Sequence, residues 1–72
     1  MKVRVALETM SDILNFVAIT SMIGVPVYLT HNDFRVCAKS LLGARYTMEW
    51  DEVWCECDRD IYSKIEHFVI IE

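Results

Sequence analysis

The sequence is poor in the residues that cross-link a chain, break it into segments or draw it to a polyanion. Its three cysteines are an odd number and do not make a disulfide framework, so reduced thiols are expected. Two glycines and one proline in 72 residues leave no stretch with linker composition. With no internal repeat or low-complexity segment either, a single domain over residues 1–72 is expected. Seven basic residues face eleven acidic ones, the net charge is −4, and no basic cluster exists. Nucleic acid and anionic membranes both reward clustered Lys and Arg, so neither is expected as a partner. The longest apolar runs, such as Phe16-Val17-Ala18-Ile19, are far too short to span a bilayer. Met1-Lys2-Val3-Arg4-Val5 is followed by no apolar h-region, so a signal peptide is not expected and a cytoplasmic location is.

What is present is apolar patterning. A hydrophobic content of 54% argues for a folded globule, and the short length for a small core. Val3, Val5 and Leu7 alternate with Arg4 and Ala6 and suit a first strand, with the three larger apolar residues on its core face. Ile13, Phe16, Val17 and Thr20 fall at i, i+3, i+4 and i+7, which predicts a helix from about Ser11 to Ser21, its apolar face widened by Leu14, Ala18 and Ile19. Thr9 and Ser11 are both candidate N-caps, with Asp12 in the first turn. Gly24 ends this helix and Pro26 bars its resumption. Residues 25–30 read as a second strand with Val25, Val27 and Leu29 on one side, and His31-Asn32-Asp33 as a turn. Phe34 to Cys37 returns as a third strand, with Phe34 and Val36 inward.

A short helix then runs from Ser40 to about Arg45, with Ser40 of good N-cap type and Gly43 allowing an early end or bend. Asp51 to Asp58 is a fourth strand, with Val53, Cys55 and Cys57 alternating against Glu52, Trp54 and Glu56. Asp60 caps a last helix whose apolar stripe is Ile61, Ile65, Phe68 and Val69. Helices recurring among hairpin-compatible strands predict an α+β sandwich, with Phe16, Val27, Val36, Val53, Ile65 and Phe68 in one core.

Four local features, in this element order, resemble HPr, the small phosphocarrier family of the bacterial sugar phosphotransferase system. They are Asn15-Phe16-Val17 in the first helix, the hairpin that follows it, Ala38-Lys39-Ser40-Leu41-Leu42-Gly43 in mid-chain, and Ile65-Glu66-His67-Phe68-Val69 in the final helix. The resemblance implies a two-layer open-faced sandwich, βαββαβα, whose antiparallel sheet has the order first, fourth, second, third and carries three helices on one face. Family members that relay phosphate have a histidine just before the first helix, followed closely by an Arg-Pro pair. Aligning back from Asn15-Phe16-Val17 places that histidine at about Thr9, with Ser11 and Asp12 where Arg and Pro would stand. The imidazole nucleophile and the cation are both missing, and Asp12 adds negative charge where phosphate would lie. No histidine phosphotransfer and no enzymatic activity are therefore expected.

The resemblance also marks Ser40 as the position that an ATP-dependent kinase modifies in Gram-positive members. A phosphate there would accept from helix N–H groups, with Lys39 and Arg45 to assist; the simpler role is an N-cap. Leu41 and Leu42 match positions that contact partner proteins, and Arg45 replaces an often apolar residue. Lys39, Leu41, Leu42 and Arg45 are thus the expected partner-binding residues. The partner would be a transcription regulator or a phosphotransferase-system component, and the chain a monomer or weak homodimer.

Two other readings stand beside this one. One is a phosphocarrier with a displaced acceptor at Thr9, Ser11 or His31; for the two hydroxyls it is a poor one, because a hydroxyl phosphoester is a weaker phosphoryl donor than a phosphoramidate. The other is a small metal or thiol protein on Cys55 and Cys57, which share a strand face and could be joined by Cys37 or a histidine. Structural zinc more often uses CxxC pairs from turns, so inner-face thiols are the better account; no metal or cofactor is expected. Trp54 and Tyr28 fall on the sheet face that the helices leave open. There they either form a sticky surface or lie under long neighbours such as Arg4, Arg35 and Glu56.

Overall fold

Val53, Cys55 and Cys57 alternate with Trp54 and Glu56 in β4 (Val53–Cys57), and the period of two puts the three small apolar side chains on one face, where all are buried. The computed structural model describes residues 1–71 and places β4 inside a four-stranded antiparallel sheet. It pairs with β1 (Lys2–Val5) on one side and β2 (Val27–His31) on the other, and β2 pairs with β3 (Phe34–Cys37). The strand order is β1-β4-β2-β3. Between the strands come α1 (Met10–Ser21) and α2 (Leu41–Tyr46), the latter extended by a 3₁₀ turn over Thr47–Glu49; α3 (Tyr62–Ile65) follows β4 and continues in a 3₁₀ turn over Glu66–Phe68. This is the α+β sandwich expected, three helices on one face of the sheet.

The core lies between that face and the helices. Val27, Leu29 and Cys55 from the inner strands meet Ile13 and Phe16 of α1 and Ile65 of α3, all fully buried. The rings of Phe16 and Phe68 meet edge to face at 5.2 Å, so α1 and the end of the chain lock onto each other. Thr20 is buried beside them. Its hydroxyl lies 2.9 Å from the Phe16 carbonyl and 3.2 Å from that of Ala38, tying α1 to the turn after β3.

Several expectations are corrected. Leu14 and Ala18 are exposed, whereas Val17 and Ile19 are half-buried against the core beside the fully buried stripe Ile13, Phe16, Thr20, so the apolar face of α1 is narrower than expected. β2 begins at Val27 rather than Val25, and Pro26 stands outside it. The hairpin turn is the pair Asn32-Asp33, with Asn32 at φ 53°, a left-handed conformation that Asn tolerates; His31 belongs to β2. Val36 is half-buried against the core, whereas Phe34 is 66% exposed: it shares the covered face but sits at the start of the edge strand.

Gly43 does not end α2. A Cβ there would meet the Cys37 carbonyl at 3.1 Å and the Val36 Cβ at 3.4 Å, so the glycine permits α2 to sit close on β3. Asp60 does accept from the Tyr62 N–H, at 3.0 Å, although Ile61 holds the N-cap position. The last helix is shorter than its stripe suggested. Val69 leaves it to bridge Val5, the Ala6 N–H donates to the Phe68 carbonyl at 2.8 Å, and the Ile70 N–H donates to the Arg4 carbonyl at 2.9 Å. The outer edge of β1 is thereby covered, which removes one template for unwanted strand pairing.

Candidate functional site

The two helix N-termini differ in what already occupies them. At α1, Thr9 is the N-cap and its hydroxyl accepts from the Asp12 N–H at 3.1 Å. Asp12 answers through Oδ2, which accepts from the N–H groups of Glu8 and Thr9 at 3.1 and 3.2 Å. This is a reciprocal capping box, and it fixes a carboxylate over the helix N-terminus. Thr9 and Ser11 are both exposed, but the Thr9 hydroxyl is engaged as a cap, and the anion-binding end of the helix holds an anion from its own chain.

At α2, Ser40 is the N-cap and its hydroxyl accepts from the Gly43 N–H at 3.2 Å, on an exposed residue. No acidic side chain stands in the first turn. Leu41 and Leu42 follow at 45% and 72% exposure. Lys39 turns the other way: its ammonium donates to the Ile23 carbonyl near the start of the α1–β2 connection, so it is not gathered with Ser40. Arg45 is exposed and joins Leu42, Tyr46, Met48 and Glu49 around an open groove of about 480 Å³.

Of those five, Tyr46, Met48 and Glu49 carried no sequence assignment. The sequence carried no signal for them, because the sheet decides which side of so short a helix is covered. Ala44 and Thr47, three apart, are the buried positions of this segment, which leaves Leu42 and Tyr46, four apart, on another side.

The histidines stand apart from both N-termini. His31 stacks on Trp50 at 5.8 Å between ring centroids, and Phe34 tilts against the same indole at 6.2 Å. His67 is exposed in the last 3₁₀ turn, edge-on to Phe68. On the open sheet face, Lys2 lies 5.7 Å over Trp54 and Arg35 lies 3.7 Å over Tyr28. Glu52 accepts from the Trp54 indole N–H. Both rings are half-buried, so long charged side chains cover the aromatics of that face.

The cysteines do not converge. Cys55 and Cys57 are buried on the helix-covered face, while Cys37, opposite Tyr28, is exposed on the other. Among the described residues no group of three or more His, Cys, Asp or Glu side chains is placed to hold a metal ion. Burial pushes the Cys55 thiol from its ordinary 9.0 up to about 12, so it is neutral and not a nucleophile near neutral pH. Among the same residues no helix is long and apolar enough to cross a membrane. No protein-family model, no curated protein and no solved structure matches this chain.

Proposed function

We propose that the chain is an HPr-like protein-binding module that has lost histidine phosphotransfer and works, without catalysis, through α2. The observation that carries this reading is the contrast between the two N-termini. At the position of the family's phosphoacceptor stand Thr9, already a cap, and Asp12, whose carboxylate lies over the helix end. At the position of the family's regulatory serine, Ser40 is an exposed cap beside two partly exposed leucines and no acidic neighbour in the first turn. A phosphoryl group on Ser40 would gain helix N–H donors, and Arg45 lies one turn on. Lys39 would join only by leaving the Ile23 carbonyl. In this reading the partner is a cytoplasmic protein, a transcription regulator or a phosphotransferase-system component, that contacts Leu41, Leu42 and Arg45.

The test uses the two phosphoryl donors of the family. ATP with the serine kinase is expected to label the chain, and Ser40→Ala to abolish the label. Phosphoenolpyruvate with Enzyme I is expected to leave no acid-labile phosphohistidine. Near-stoichiometric labelling at His31 or His67 would overturn the reading in favour of a displaced acceptor.

A further inference from the structure

We infer that the groove along α2 is a self-association site: a second copy of this chain docks there, related to the first by a two-fold axis. The inference rests on α2 being an interaction surface and adds a second occupant, another copy of this chain, that competes with the partner protein for Leu42 and Arg45; it does not rest on the family resemblance.

The groove is built by one short segment, with Leu42, Tyr46 and Met48 supplying apolar walls and Arg45 and Glu49 supplying charge. Leu42 and Tyr46 are 72% and 61% exposed, and Met48 is exposed as well. Clustered apolar exposure of this kind marks an interaction surface more than scattered single residues do. The charges decide what fits. Arg45 and Glu49 have opposite sign on the same groove, so a partner carrying one sign of charge meets one of them unfavourably.

A second copy brings one charge of each sign to the groove, which locally offsets the repulsion between two chains that each carry −4. In a two-fold contact, residue i on j is repeated as j on i. Arg45 of each copy then faces Glu49 of the other, and the Leu42, Tyr46 and Met48 side chains close on their counterparts. The patch is small. A standard interface removes about 800 Å² from each partner, whereas a patch of this kind offers a few hundred. Association is therefore weak and concentration-dependent, with half-saturation at roughly 0.1–1 mM.

Analytical ultracentrifugation of the full chain from about 10 µM to about 1 mM tests this, since that range brackets the expected midpoint. The mass is expected to rise from monomer toward dimer. Each of Arg45→Glu and Glu49→Arg is expected to weaken association about 10-fold, because each change acts twice across a two-fold axis. The double variant exchanges the charges, and it is expected to return to within about 2-fold of the parent. Leu42→Asp is expected to remove dimerisation while its circular dichroism spectrum stays that of the parent, as the side chain is exposed.

A chain that stays monomeric throughout overturns the inference, as does a dimer that all four variants leave unchanged. A double variant as weak as either single one overturns it too, since the charges then do not face each other. Kinase labelling of Ser40 is read on the monomer, so failure here and failure of the proposed function are separate results.

Discussion

Ile13, Phe16 and Thr20 of α1 are fully buried, whereas α2 buries only Ala44 and leaves Leu42 and Tyr46 largely in solvent. Both helices begin with a side-chain cap, and both lie on the same face of the sheet. The difference is position. α1 crosses the middle of the core, where inner-strand residues such as Leu29 and Cys55 lie against it. α2 sits at the β3 side and approaches the sheet at Gly43, which lets its backbone come close while its larger side chains point away. Apolar residues in α1 therefore stabilise the fold. Those in α2 contribute little to it and are available to another protein.

The largest effect expected from this contrast is at Phe16. Phe16→Ala removes a fully buried ring and its edge-on contact with Phe68, and is expected to cost about 3–5 kcal/mol in denaturant unfolding. A loss under about 1 kcal/mol would mean that α1 is not the helix that holds the core. Thr20→Val keeps the shape but leaves the Ala38 carbonyl without that hydroxyl; a loss of about 1–2 kcal/mol is expected in the same measurement. An unchanged midpoint would remove the Thr20 link between α1 and the β3–α2 turn.

Ser40→Ala deletes the cap of α2 and is expected to cost about 1 kcal/mol, while Ser40→Asp, which also caps and suits the helix dipole, is expected to stay within about 0.5 kcal/mol of the parent. Equal stability of all three forms would show that the cap on so short a helix contributes nothing. The smallest effect is expected at Leu42. Leu42→Ala should shift stability by no more than about 0.5 kcal/mol, as for an exposed site away from special features. A loss of about 2 kcal/mol there would erase the distinction between the helices and put Leu42 in the core.

The candidate site was legible in parts. Ser40 as a cap and the anionic α1 N-terminus followed from local residue chemistry, because a cap is decided within four residues. That Thr9 caps in place of Ser11 follows from Asp12, three residues after Thr9, closing the reciprocal pair. The groove residues Tyr46, Met48 and Glu49 were not marked. An apolar residue on a short helix carries the same letter whether a sheet covers it or not.

The sequence by itself determined which residues share a face. Val53, Cys55 and Cys57 fall together by a period of two, and Ile13, Phe16 and Thr20 by a period near 3.6, because these spacings follow from the backbone geometry of a single element. Only the tertiary structure decided how far the cover reaches. Phe34 lies on the same face as Val36 yet stays 66% exposed at the start of the edge strand, with only the Trp50 ring tilted against its own among the described residues. Val69 leaves its helical stripe to bridge Val5, and Gly43 serves a close approach to Cys37 in place of a helix end. Each of these depends on where a distant element lies, and local periodicity carries no information about that distance.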